Sequence, residues 1–409
     1  MSKNTTPSWK AKMKVYRAHQ LMMRSLSKVI PFPRPKLLTG AGCVSELADH
    51  IKQKGLKRVL IVTDSVLMGL KLLDTLTASF DKHNIKYTIF DEVQPNPTIK
   101  NVEDGRKVYL KNRCNGIVAF GGGSPMDCAK MIGARVRNPY MSVQKMRGLF
   151  RVFIPIPPFY CVPTTAGTGS ETTIVAVISN PETHEKLVIT DFKLVPKVAV
   201  LDPELMVGLP KHITSTTGMD ALTHAIEAYI GHNGTKFTNG NAEEATKLIF
   251  ENLEKVYHDG SDLEARSNMA LASFYAGLAF TKAYVGYVHA IAHNMGGLYG
   301  VPHGLANAII LPHVLEFSAE AAESKLASLA IAGGIGKSTE SERELSHRFI
   351  AKVKAMNENM SMPTTIKELK ESDIPLIAKR ALAEAHPDYP VPTFMCQSEC
   401  EDLIRKLLP

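Results

Sequence analysis

The sequence predicts two halves of different class: an α/β half built on a parallel sheet, then an all-helical half. Three observations predict this. From residue 37 to about 205, short apolar runs alternate with stretches of helical period. A run of three glycines, Gly121 to Gly123, directly follows one of those apolar runs and opens a helix. After Asp202 and Pro203 the strand signals fade and helical patterns follow one another. Domains are therefore expected at 37–208 and 209–409, preceded by a basic arm over 1–36.

In chain order, Trp9 to Ile30 has helical period, with Val15, Ala18, Met22, Leu26 and Val29 on one face. Pro31, Pro33 and Pro35 end it. A basic helix of this kind also resembles a transit peptide or membrane-surface segment; docking on the protein's own surface is the reading favoured here. Arg58 to Asp64 reads as a buried strand ending in an acid, 66–82 as a helix, Lys86 to Asp91 as a strand and 99–112 as a helix. Asn115 to Phe120 is a third strand, and further strands are expected at 159–163, 174–179 and 197–201. Helices are expected at 215–230, 241–258, 262–280, 284–299, 304–320, 322–334, 341–357, 363–369 and 373–384.

The composition, 44% apolar and 22% charged over 409 residues, excludes a mostly disordered chain, and no uninterrupted apolar stretch is long enough to cross a bilayer. The net charge of +8 is local. Residues 1–36 carry nine Lys or Arg and no acid, leaving 39 basic against 40 acidic groups in the rest. A general nucleic-acid surface is not supported. Six scattered cysteines suggest a reducing compartment, hence a cytoplasmic protein.

Two loops and one cluster carry chemistry. Gly121, Gly122, Gly123 and Ser124 let backbone approach a pyrophosphate, and the N–H groups of the following helix point at it. A tight strand-to-helix turn is the plain alternative. A second loop, Pro163 to Glu171, offers hydroxyls that suit a diphosphate or ribose. Asp64, at a strand end, suits a ribose 2′-hydroxyl and would repel a 2′-phosphate; a helix N-cap is the plain alternative, and both can hold at once. In the helical half, Asp220 and His224 stand four apart on one helix, as do His289 and His293 on another, with His303 in a turn beyond. Imidazoles with one carboxylate suit zinc or ferrous iron rather than magnesium or calcium. Spacing leaves open whether His293 or His303 completes the set with Asp220, His224 and His289; His313 reads as structural.

Taken together, Gly-Gly-Gly-Ser-Pro-x-Asp, Pro-Thr-Thr-Ala-Gly-Thr-Gly-Ser-Glu, Gly-Met-Asp-Ala-Leu-Thr-His-Ala-Ile-Glu-Ala-Tyr-Ile and His-x3-His-x9-His resemble the iron-containing (group III) alcohol dehydrogenase family, in the family's order, over about 38–335. The resemblance implies a Rossmann-like dinucleotide-binding domain, an all-α metal-binding domain and an active site in the cleft between them, an architecture shared with dehydroquinate synthase. It implies metal ligands at Asp220, His224, His289 and His303, holding Fe2+ with Zn2+ as the alternative. His293 then falls near the reacting carbon as the candidate catalytic proton relay. Cofactor contacts fall on Asp64, Asn96, Gly121, Gly122, Gly123, Ser124, Asp127, Thr164, Thr165, Thr168 and Lys186, with NAD preferred to NADP because of Asp64. Phe280 falls on the substrate-pocket wall. The implied reaction interconverts a small primary alcohol or diol and its aldehyde, in a homodimer. The rivals are a hydroxyacid–oxoacid transhydrogenase, or another NAD-using metalloenzyme of the same architecture. The chain departs from the family in its basic arm and beyond about residue 340, where no motif aligns.

Overall fold

The computed structural model describes residues 7–29, 31–183 and 185–409. It divides into two compact units: one of residues 32–210 and 259–277, the other of 1–31, 211–258 and 278–409.

The first unit holds a six-stranded parallel sheet in the order β1-β9-β6-β4-β2-β3. Its strands are β1 (Lys36–Thr39), β2 (Arg58–Val62), β3 (Lys86–Phe90), β4 (Gly116–Gly121), β6 (Phe159–Pro163) and β9 (Val198–Leu201). Between them run helices α2 (Leu47–Gln53), α3 (Ser65–Gly69), α4 (Asp74–Lys82), α5 (Ile99–Lys111) and α6 (Gly123–Arg137), numbered after the N-terminal helix α1 (Pro7–Val29). Side-chain alternation explains why the central strands read as unbroken apolar runs. Leu60, Val62, Ile117 and Ala119 face a core closed by Val102, Met126 and Ile132. Val59, Ile61, Val118 and Phe120 face the other core, closed by Leu47, Ile51, Leu76 and Phe80.

The expected helix over 66–82 is two helices, because Lys71 takes a left-handed φ of 56°. The strand expected at 174–179 lies outside the parallel sheet. It forms β7 (Val175–Asn180), antiparallel to β8 (Glu185–Thr190), with β5 (Gly148–Leu149) on the far edge. Its register sets Lys186 opposite Ser179.

The second unit is helical: α7 (Lys211–Ile230), α8 (Lys236–His258), α10 (Tyr287–Tyr299), α11 (His303–Ser318), α12 (Glu323–Ala332), α13 (Glu342–Asn359), α14 (Ile374–Ala385) and α15 (Gln397–Arg405). Helix α9 (Leu263–Ala283) contributes its first part to one unit and its last turns to the other. In the first unit, a Cβ on Gly277 would lie 2.2 Å from Thr172 Oγ1, so glycine is what lets this backbone approach the loop after β6. The segment 363–369, expected as a helix, is not one: the Ile366 N–H donates to Leu407 O (2.8 Å) rather than along a helix. Helix α15 was not foreseen; Glu399, bonded back to the Cys396 N–H, was its signal.

Helix α1 docks within this second unit, but not through the expected face. Val15, Ala18 and Met22 are exposed, and the side chains of Leu26 and Val29 lie outside the described residues. The docked face is polar and aromatic. Arg17 donates to the carbonyls of Val391 and Pro392 (both 2.7 Å), Gln20 donates to Pro387 and Tyr389 carbonyls, and Tyr16 packs on Phe394. Carbonyls of a non-helical segment need donors, and apolar periodicity does not report that need.

Candidate functional site

In the first unit, β4 delivers Gly121 with φ 144° into the start of α6. Gly122 is the N-cap and has no side chain to satisfy the first N–H groups, which leaves them for an anion. Close neighbours explain the glycines. A Cβ on Gly122 would sit 3.3 Å from Thr165 Oγ1, and one on Gly123 would sit 2.9 Å from Thr168 Cγ2. Thr165 Oγ1 is buried without a hydrogen-bond partner among the described residues, so this cradle offers an unspent hydroxyl beside the helix start. Thr164 N–H donates to Gly121 O (3.1 Å), holding the second loop to the first.

Other residues singled out above gather here. Ser124 Oγ accepts from the Asn96 N–H (3.3 Å). Lys186 Nζ donates to Asn96 Oδ1 (2.6 Å) and Ser179 Oγ (2.9 Å). Burial pulls Lys186 down to about 8, against the opposing pull of Asp127. Asp127 spends both carboxylate oxygens on protein: Oδ1 accepts from Ser170 Oγ (2.8 Å) and Oδ2 from the Val177 N–H (2.9 Å). Asp64 caps α3, accepting from the Val66 and Leu67 N–H groups (both 3.0 Å). Sequence reasoning missed Lys130. Fully buried, it donates to Ser170 O, Ser170 Oγ, Thr173 Oγ1 and Val175 O, and so pins the second loop to α6.

In the second unit, α7, α10 and α11 bring a carboxylate and three imidazoles together. Ligand atoms of Asp220, His224 and His289 lie within 4.8 Å of one another. Asp220 Oδ1 is 3.6 Å from His303 Nε2, 3.7 Å from His289 Nε2 and 3.9 Å from His224 Nδ1. Helix α7 is buried along nearly its whole second half, from Gly218 to Ile230. Gly304 permits the close approach of α11, because a Cβ there would lie 2.3 Å from Thr216 O.

The charge pattern suits a cation. Burial alone would raise Asp220, but His224, His303 and His289 hold its carboxyl well below the usual range. Burial would lower His289, yet Asp220 and Glu227 raise it to about 9. The position calls for positive charge, which a proton or a metal ion supplies. Three imidazoles and one carboxylate oxygen fit a divalent transition ion.

Glu227, which sequence reasoning missed, supports the centre. It accepts from the Gly286 and Val288 N–H groups at the start of α10 (2.8 and 2.7 Å) and from His289 Nδ1–H (2.6 Å). The last bond turns the other ring nitrogen, Nε2, toward Asp220 (3.7 Å). A Cβ on Gly286 would lie 2.8 Å from Glu227 Oε1, so that residue too must be small. The signal was Glu227's place two turns after Asp220 on the same face.

His293 behaves differently from His303. Its ring lies 5.3 Å from that of His303, stacked at 16°, but its Nδ1 bonds Glu384 Oε1 (2.7 Å), which also accepts from Tyr389 OH (2.8 Å). Glu384 and Tyr389 stand in the stretch where no motif aligned. Phe280 stacks on His224 at 4.1 Å. His313 pairs loosely with Glu316 (3.9 Å), outside the cluster.

Comparison with known proteins agrees with both halves. Residues 33–203 match the family model described as iron-containing alcohol dehydrogenase. Residues 214–408 match the C-terminal model of the Fe-containing alcohol dehydrogenase family. The chain is 40% identical over 351 residues to 1,3-propanediol dehydrogenase of Klebsiella pneumoniae, covering 85% of this chain and 90% of that one. It is 39% identical over 355 residues to NAD-dependent methanol dehydrogenase of Bacillus methanolicus, covering 86% and 93%. The solved alcohol dehydrogenase from Oenococcus oeni superposes with a TM-score of 0.89 at 34% identity, covering 93% of this chain and all of the other.

Proposed function

The chain belongs to the iron-containing alcohol dehydrogenase family, and from that premise we propose that it interconverts a small primary alcohol or diol and its aldehyde with NAD(H), at a centre made by Asp220, His224, His289 and His303. The observation that carries this reading is the single carboxylate oxygen of Asp220 lying 3.6–3.9 Å from three imidazole nitrogens. Ferrous iron is the proposed ion, with zinc as the alternative that binds such sites more tightly. When bound, the ion would supply Lewis acidity toward a substrate oxygen, and NAD would supply the capacity for hydride exchange.

The remaining work falls to the chain's own residues. Glu227 fixes the tautomer of His289, and Gly304 lets α11 bring His303 to Asp220. Phe280, stacked on His224, is the proposed apolar wall for a short carbon chain. His293 is the proposed proton relay: Glu384 holds its Nδ1–H and so leaves Nε2 to exchange a proton. In the first unit, the Gly121–Gly123 backbone, Ser124, Asn96, Lys186 and the Thr164, Thr165 and Thr168 loop are the proposed diphosphate contacts, supported by the buried Thr165 hydroxyl. Asp127 is proposed to contribute by holding Ser170 and β7. The reading includes a cytoplasmic homodimer; the six cysteines, all buried, are compatible with a reducing compartment.

The test is a panel of short aldehydes and diol-derived aldehydes with NADH and Fe2+- or Zn2+-loaded protein, following loss of reduced nicotinamide. Turnover on short aldehydes is expected. A metal-loaded protein inert across the panel would overturn the reading. His293→Ala should retain the metal while the rate falls by about 10²–10⁴-fold, and an unchanged pH–rate profile would remove its proton role.

A further inference from the structure

Asn307 stands one turn after His303 on α11, so the helical step that pairs Asp220 with His224 also brings its amide to the cluster. It is fully buried. Its Nδ2 lies 2.7 Å from Asp220 Oδ1 and 3.2 Å from Nε2 of both His289 and His303. An ionised carboxylate only accepts, so the end of the amide facing Asp220 is the NH2. The other end, Oδ1, is buried with no hydrogen-bond partner among the described residues. A buried unpaired carbonyl is costly, and a leucine of similar shape would avoid it. The amide is therefore held for what its NH2 does.

We propose that Asn307 is a positioning residue of the metal centre. This rests on the metal-centre reading above. The oxygen that Asn307 grips is the same Oδ1 that faces all three imidazoles. The hydrogen bond selects which carboxylate oxygen is presented and resists rotation of the carboxylate toward a two-oxygen mode. Its amide nitrogen also stands between His289 Nε2 and His303 Nε2, 3.2 Å from each. The four ligands stay converged before an ion arrives, and ordering them then costs the ion little. Glu227 does the same for His289 from outside the cluster; Asn307 acts from within it.

The test compares metal-stripped wild type, Asn307→Ala and Asn307→Asp. Zn2+ is titrated against a chromogenic chelator, and the visible spectrum is recorded after Co2+ loading, a signature that a merely structural role would not move. Asn307→Ala should bind Zn2+ about 10- to 100-fold more weakly, with altered Co2+ bands because Asp220 is freed. Asn307→Asp keeps the size, removes the donor and adds an oxygen; its Co2+ bands should change in intensity as that oxygen enters the coordination sphere. Zn2+ affinity within about twofold of wild type together with an unchanged Co2+ spectrum in Asn307→Ala would overturn the proposal. Should that variant fail to fold when stripped, the same two null results in Asn307→Asp overturn it. If wild type itself takes up neither ion, the metal-centre reading fails, and that failure is distinct from a null result confined to the variants.

Discussion

Where β4 runs into α6, the proposed cofactor loop is made by leaving side chains out; where α7, α10 and α11 meet, the proposed metal centre is made by turning the side chains of His224, His289 and His303 toward Asp220. The first arrangement needs few supporting partners. Backbone N–H groups are fixed by the helix itself, and the glycines admit the neighbouring threonines. The second needs several, because buried imidazoles and a carboxylate have to be turned, paired and charged correctly: Glu227 for His289, Asn307 for Asp220, Glu384 for His293. A site made of omissions fails when atoms are added, and a site made of aimed groups fails when they are removed.

That contrast can be broken by experiment. The largest effect is expected from His289→Ala, which should strip the metal and cost about 10²–10³-fold or more in turnover. Elemental analysis of the purified variant decides it, and full occupancy would break the distinction. Gly123→Ala should act the other way, adding a Cβ 2.9 Å from Thr168 Cγ2. An overpacking cost of about 1–3 kcal/mol should weaken NADH binding, read by fluorescence titration, with metal content unchanged. Metal loss in that variant would mean the two sites are not independent.

Lys186 sharpens the comparison through pH. Its ammonium is pulled down to about 8 by burial, so it is charged below that pH and neutral above it. A cofactor diphosphate favours the charged form. NADH affinity should therefore be greatest below pH 8 and fall as pH rises through it, and Lys186→Met should flatten that dependence. An equally steep profile in the variant would exclude Lys186 from the contact. The smallest effect is expected from Asp64→Gly, which should shift the NAD-to-NADP preference several-fold by about 1 kcal/mol. A ratio unaltered from wild type would leave Asp64 as a helix cap only.

Much of the architecture is legible because its causes are local. Strands buried on both faces must be apolar, and β4 and the part of β2 after its exposed Arg58 are. Helical spacing groups Asp220 with His224 and His289 with His293. Spacing leaves His293 and His303 equivalent because what separates them includes Glu384, which stands 91 residues beyond His293 and bonds its Nδ1. Lys130 was invisible for the same reason. A lysine on a helix reads as solvent-facing until the four acceptors from residues 170–175 are seen to surround it. Apolar period also misjudged α1, since Arg17 and Gln20 rather than Val15 and Met22 find partners.

The division of α9 has a practical outcome for anyone cutting this protein apart. A fragment ending at residue 210 would carry the sheet but lack 259–277, and would lay bare the backbone of Gly169 that Gly277 covers. Such a piece should be sticky or insoluble when expressed alone. Supplying 259–277 through a linker, or rejoining the chain by circular permutation, is the route by which an isolated sheet unit becomes workable.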